Sequence, residues 1–344
     1  MASKVAVVGA GSWGTVFASL LCKRVPTVLW ARRQELADEI TTCHANSAYL
    51  RRFRLPAELT ATASLARALD GADLVVMGVP SHGFRDVLGA AEPWIAPGVP
   101  VLSLAKGVEE GSLKRMTEVV AEVAPGRPAG VLTGPNLAVE IMAGHPAASV
   151  VAFEDEAMAA DAQRAFCTDA FRVYTNLDVT GCEVAGALKN VMAIACGMAD
   201  GMGFGDNTRA ALITRGLAEL TRLGIALGGR PSTFSGLAGM GDLVVTCISR
   251  KSRNRHVGEQ LGKGRSIDQI VSGTNMVAEG VRTSRAVLDL AATVGVEMPI
   301  AEQVVAVLYG GKRASDVIVT LMQREAKPEL EAPVFPSTPV VPST

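Results

Sequence analysis

The chain has 344 residues, a length that suggests two domains, with 49% hydrophobic and 19% charged residues and a formal net charge of −1. So even a balance, with aromatic residues at only 4%, excludes a global field for nucleic acid or acidic lipid and leaves basic chemistry to local clusters. No apolar run reaches membrane-spanning length, and no basic stretch followed by an apolar one marks a secretory signal.

The first element predicted is a strand, Lys4–Val8, running directly into Gly9-Ala-Gly11-Ser12-Trp13-Gly14 and then a helix over Trp13–Lys23. This is G-x-G-x-x-G in the setting that gives it meaning. Gly9 permits the tight turn, Gly11 lets backbone approach a pyrophosphate, and Gly14 lets helix and strand pack closely. The helix N-terminus then offers free N–H groups and partial positive charge to the phosphates. A second strand, Thr27–Trp30, ends in Ala31-Arg32-Arg33. An acid in that region would accept from a ribose 2′-hydroxyl, whereas an arginine would pair with a 2′-phosphate. Arg32 and Arg33 therefore favour NADP(H), with NAD(H) still possible. They can equally cap the strand and face water.

Helix over Gln34–Cys43, strand over Leu59–Ala63, helix over Ser64–Leu69 and strand over Asp73–Val79 follow. The last of these leads into Pro80-Ser81-His82, where the crevice at the carboxyl ends of parallel strands is expected. A helix over Phe84–Ala90 precedes the strand Val99–Ser103, and Lys106 lies just past its end, facing either that crevice or solvent. A helix over Leu113–Val123 and a strand over Gly130–Thr133 lead to the sharp turn Gly134-Pro135-Asn136-Leu137-Ala138. Ala147–Ala152 and Phe171–Thr175 are apolar runs that extend the series. The alternation predicts an α/β fold: a doubly wound, mostly parallel Rossmann-type sheet over 1–178.

The texture changes near Val179. Helix-period apolar positions run through Cys182–Ala199, Thr208–Leu227, Met276–Thr293 and Ile300–Leu308, predicting an all-helical domain over 179–326. Five prolines from Pro328 to Pro342 then punctuate a stretch, 327–344, expected to be a disordered tail.

Within the helical half, Lys189 is the oddity. If the segment is helical, its neighbours three and four residues away are Ala185, Gly186, Met192 and Ala193, and none is a carboxylate. Such a lysine either snorkels out or sits desolvated, and desolvation suits proton transfer. Gly239-Met240-Gly241-Asp242 sets a carboxylate before an apolar run. Asp242 is either a helix N-cap or the partner of a lysine such as Lys189. Arg250-Lys251-Ser252-Arg253-Asn254-Arg255-His256 holds no acid. It is either a solvated face or the grip on a small phosphate, for which Arg253 and Asn254 would serve. The six cysteines lack C-x-x-C spacing and the four histidines are scattered, so no metal site is expected. Most of the cysteines read as small core residues of a reducing, cytoplasmic protein.

Assembled, these motifs closely resemble the soluble NAD(P)-dependent sn-glycerol-3-phosphate dehydrogenases of the bacterial type. The resemblance spans about Lys4 to Glu325. It rests on Gly9-x-Gly-Ser12-Trp13-Gly14, Val79-Pro80-Ser81, Ala105-Lys106-Gly107, Gly134-Pro135, Leu188-Lys189-Asn190-Val, Gly239-x-Gly-Asp242-Leu and Ser252-Arg253-Asn254. It implies reversible reduction of dihydroxyacetone phosphate, supplying glycerol phosphate for phospholipid synthesis, with a homodimer formed through the helical domain. It further implies a dinucleotide held by Ser12, Trp13, Arg32 or Arg33, Lys106, Ala138, Arg253, Val277 and Glu279. Lys189 would be the general acid/base, oriented by Lys106, Asp242 and Asn190. Gly134, Asn136, Thr246, Ser252, Arg253 and Asn254 would surround the substrate, with Asn136 standing where a serine is common. The residues alone leave two alternatives: a dehydrogenase of another small hydroxy acid, and a dinucleotide-sensing protein without chemistry.

Overall fold

The computed structural model describes residues 3–272, 278–326 and 328–329. Val277 and nearly all of the Pro-rich stretch, 327–344, lie outside the described residues.

All eight apolar runs are strands: β1 (Val5–Val8), β2 (Thr27–Trp30), β3 (Thr60–Thr62), β4 (Leu74–Met77), β5 (Val101–Ser103), β6 (Ala129–Thr133), β7 (Ala147–Phe153) and β8 (Phe171–Asn176). They form one sheet in the order β3-β2-β1-β4-β5-β6-β7-β8. Every neighbouring pair is parallel except β6 with β7. The chain order reverses between β1 and β4, which opens the ligand crevice above their carboxyl ends. Alternation along β1 accounts for burial on both faces. Val5 and Val7 pack into a core with Phe17, Phe153 and Phe166, and Ala6 and Val8 into one with Trp30, Met77 and Phe84.

The helical region begins with Val179–Gly201, whose N-cap Asp178 accepts from the Gly181 N–H. Its length and composition would allow it to cross a bilayer, correcting the expectation from the sequence, but its most apolar 18 residues are entirely buried inside the protein. Helices Asp206–Ala226, Asp242–Ile248, Arg253–Gly262, Glu279–Thr293 and Pro299–Tyr309 pack around it. Approach is close at Gly197 and Gly258, where a Cβ would stand 2.0 Å from the Arg255 and the Ile194 carbonyl oxygen respectively. Only glycine lets the Arg253–Gly262 helix lie there, and that contact brings Asn254 beside Asn190.

Several helices differ from expectation. Ala138–Met142, Glu156–Phe166, Pro231–Ser235, Ile267–Ser272 and Ala314–Met322 were not predicted. The apolar run after Asp242 is a helix, and the basic cluster supplies the first turn of another, with Ser252 accepting from the Arg255 N–H. Of the six free cysteines, Cys22, Cys182, Cys196 and Cys247 are buried.

Candidate active site

The glycine turn behaves as its spacing predicts. Gly9 has φ +122°, and a Cβ on Gly14 would lie 2.0 Å from the Gly9 carbonyl oxygen. Gly11 is different: a Cβ there would meet nothing within 4 Å. The turn is closed where strand meets helix and open where a pyrophosphate would lie. Asn46, which has no local sequence signal, braces it from behind by donating to the Ala10 carbonyl (3.1 Å) and Thr15 Oγ1 (2.9 Å). Trp13 packs against Phe17 and Phe171, and its buried indole N–H has no partner. Open space over Gly11 and an orphaned donor beside it fit a polar ligand at the head of the Ser12–Leu21 helix. Arg32 and Arg33 stand exposed past the end of β2, and neither forms an ion pair among the described residues.

Across the crevice three charged side chains meet. Asp242 is 1% exposed and Lys189 is 5% exposed. Lys189 Nζ donates to Asp242 Oδ1 at 2.6 Å and to Thr246 Oγ1 at 2.8 Å. Lys106 Nζ donates to the other oxygen, Asp242 Oδ2, at 2.6 Å and to the Gly134 carbonyl at 2.8 Å. Of the alternatives for Asp242, the structure takes the ion pair, because its side chain caps no helix. Of those for Lys189, it takes burial over snorkelling. Lys106 is tucked against Asp242, away from solvent. Burial pushes Lys106 down to about 8, with Asp242 opposing that fall and Lys189 adding to it. Burial alone would raise Asp242; the two ammonium groups outweigh it and hold the carboxyl below its ordinary range.

A chain of amides fixes this cluster. Asn190 Nδ2 donates to the Lys106 carbonyl (3.0 Å), Asn254 Nδ2 to Asn190 Oδ1 (2.8 Å), and the Gly280 N–H to Asn254 Oδ1 (3.0 Å). Asn254, read as a phosphate ligand, thus has both ends of its amide engaged by protein. Glu279 accepts from the Ser81 N–H at 3.2 Å, joining the Glu279–Thr293 helix to the end of β4. Asn136 donates to Ser149 Oγ, while its own Oδ1 is buried without a partner. Ala138 opens the Ala138–Met142 helix and packs, with Trp13, against the core beneath the turn.

The basic cluster does not act as one patch. Arg255 pairs with Asp200, and Lys251 with Glu140. Among the described residues, no group of three or more His, Cys, Asp or Glu is placed to hold a metal ion.

Two family descriptions match this chain: NAD-dependent glycerol-3-phosphate dehydrogenase N-terminus over residues 4–159, and its C-terminus over residues 178–319. The chain belongs to this dehydrogenase family. A glycerol-3-phosphate dehydrogenase [NAD(P)+] of Sphingopyxis alaskensis is 55% identical over 323 residues, covering 94% of this chain and 97% of that protein. The enzyme of that name from Mycobacterium avium is 52% identical over 309 residues, with 90% and 91% covered. A crystal structure of glycerol-3-phosphate dehydrogenase from Coxiella burnetii superposes with a TM-score of 0.89 at 35% identity, over 93% of this chain and 99% of that one. In this dehydrogenase chain the glycine turn and the two-lysine cluster therefore sit in a Rossmann-type domain and a helical region that both match the family.

Proposed function

We propose that this protein reversibly reduces dihydroxyacetone phosphate to sn-glycerol 3-phosphate with a nicotinamide dinucleotide. The observation that carries the reading is the buried pair of lysines sharing Asp242 across the crevice from an open glycine turn. Family membership and the names of the most similar relatives support it. When bound, the dinucleotide supplies the hydride. Gly9, Gly11, Ser12, Trp13 and Gly14 would hold its pyrophosphate end, with Ala138, Glu279, Val277 and Arg253 lining the remainder. Arg32 and Arg33 favour NADP(H) because their exposed guanidiniums suit a 2′-phosphate and form no ion pair among the described residues.

The chain's own work is electrostatic and positional. As the ketone becomes an alkoxide, negative charge grows on its oxygen. Lys189, kept charged and aimed by Asp242 and Thr246, stabilises that charge more than it stabilises the neutral ketone, and then gives it a proton. In the oxidative direction the same amine accepts the hydroxyl proton. Lys106 adds a second positive charge to the dry cleft, and Asn190 holds the Lys106 backbone in place. Arg253, Ser252 and the remaining amide hydrogen of Asn254 at the head of one helix, with Asn136 and Gly134, would seat the phosphate, so that a remote group positions the carbonyl.

The proposal extends to a division near residue 178, where the last strand gives way to the long buried helix. It also includes a cytoplasmic homodimer formed through the helical domain and a role in supplying glycerol phosphate for phospholipid synthesis. The test is oxidation of NADH and of NADPH, run separately and followed by absorbance with dihydroxyacetone phosphate. Substrate-dependent oxidation that is much weaker with unphosphorylated dihydroxyacetone is expected. Oxidation indifferent to the phosphate would refute the assignment of the substrate.

A further inference from the structure

Glu183 is a buried carboxylate, 6% exposed, on the same largely apolar helix as Lys189 and Asn190, and nothing in the chemistry above uses it. Its partners lie in the other half of the molecule. Glu183 accepts from the Thr117 N–H at 2.9 Å, from Thr117 Oγ1 at 2.5 Å and from Arg115 Nη1 at 2.8 Å. Thr117 is in the first turn of the Met116–Val123 helix, whose leading N–H groups have no partner within their own helix. Glu183 therefore caps, from outside, a helix of the Rossmann-type domain, and its charge is favourable at that end. Arg115 compensates part of the cost of burying it.

The helical spacing gives this cap a second meaning. Glu183, Gly186 and Asn190 are separated by three and four residues and share one stripe of the Val179–Gly201 helix. Asn190 holds the Lys106 carbonyl. A Cβ on Gly186 would lie 3.6 Å from Lys106 Cγ. Glu183 holds the far end of the same connection, which leaves β5 at Ser103 and enters its helix at Met116. Between these anchors the connection is tied internally, Glu109 N–H to the Lys114 carbonyl at 2.9 Å, and Arg85 grips Glu109 with two bonds of 2.8 Å. It moves as a unit. The helix that carries Lys189 thus grips the Lys106 connection at both ends.

We infer that Glu183 is a positioning residue: by capping the Met116–Val123 helix across the crevice, it sets where the Lys106 ammonium stands relative to Asp242 and Lys189. The inference rests on the reading of Lys106 as part of the reacting site. In full-length Glu183→Gln, one acceptor is retained but the charge is lost and an amide N–H faces Thr117 or Arg115. Turnover with dihydroxyacetone phosphate should fall at least tenfold, with the dinucleotide Kd within twofold of the parent. In a Lys106→Met background the same change should cost no further turnover, because the group through which it acts is already gone.

A second readout needs no substrate. Labelling by an amine-acylating reagent, mapped by peptide mass, should speed up at least threefold at Lys106 in Glu183→Gln, with Lys189 unchanged. A merely structural role would speed both lysines together. Should Glu183→Gln fail to fold, Arg115→Lys, which keeps the charge but loses the planar fork, is expected to show the same selective labelling to a smaller degree. Unchanged labelling at Lys106, or an equal loss of turnover in both backgrounds, overturns the inference. Absence of turnover in the parent would fault the proposed reaction instead, and the labelling result would still decide the role of Glu183.

Discussion

Gly11→Ala separates the fold of the glycine turn from its use. Gly11 has φ −70° and ψ 179°, an ordinary extended conformation that alanine adopts without strain. A Cβ there meets no protein atom within 4 Å. Stability without ligand should hardly move. Loss of glycine's unfolded-state freedom favours the variant by about 0.4–1 kcal/mol, and alanine is a poorer N-cap than glycine by about 0.5–1 kcal/mol. Binding should suffer, because the methyl group occupies the space a pyrophosphate needs and breaks one or more charge-assisted bonds of about 1.5–3 kcal/mol. That range is roughly a 10- to 150-fold rise in Kd for NADPH. Urea unfolding without ligand and a fluorescence titration with NADPH measure the two effects. Gly14→Ala is the contrast: its Cβ would stand 2.0 Å from backbone oxygen, so stability and binding should fall together. If Gly11→Ala binds NADPH as tightly as the parent, the dinucleotide does not lie over this turn.

Lys189→Met should bind NADPH within about twofold of the parent by the same titration and lose most of its turnover; retained turnover would remove Lys189 from the chemistry. Asp242→Asn leaves two buried ammonium groups without their shared anion, and breaking such a pairing costs about 3–5 kcal/mol, read as a lowered urea midpoint at pH 7. The ammonium form of Lys106 exists below its pKa of about 8, so the rate of ketone reduction should decline as pH rises through that value. Lys106→Arg, which stays charged, should move this limb to higher pH. Arg32→Asp should shift preference towards NADH, measured as the ratio of kcat/KM for the two dinucleotides, and an unchanged ratio would clear Arg32 of reading a 2′-phosphate.

The sheet was legible because its central strands, such as Val5–Val8 and Leu74–Met77, are fully apolar and run into Gly9 and Gly78, so local pattern and final burial coincide. The missed helices show where that coincidence fails. Glu156–Phe166 buries Ala159, Ala162 and Ala165, and a stripe of alanines contrasts too weakly with its surroundings to announce a face. Arg253–Gly262 carries buried apolar side chains only at Val257 and Leu261; its basic first turn read as a surface cluster. At the site, individual residues were conspicuous but their partnerships were not. Lys106 and Asp242 are 136 positions apart, and Asn190 and Asn254 are 64 apart. No spacing rule spans such distances. Lys189 is visible as a misfit on an apolar face, whereas Glu183, on the same helix, carries no local signal of its role because its partners, Arg115 and Thr117, belong to the other half of the chain.

The arithmetic of charge in the cluster explains why two lysines share one aspartate. A second acid would balance the cleft and leave an arriving phosphate or growing alkoxide with nothing to gain. A missing acid would force both amines to neutralise, since neither ammonium could bear burial beside the other. One carboxylate between two ammonium groups holds both side chains in place and leaves one positive charge uncompensated in a dry site. A ligand that carries negative charge, and a transition state that develops more of it on the reacting oxygen, complete that balance. Burial, with Lys189 adding to it, lowers Lys106 to about 8, and the uncompensated charge of the cluster is what the cleft can release when the substrate binds and reacts.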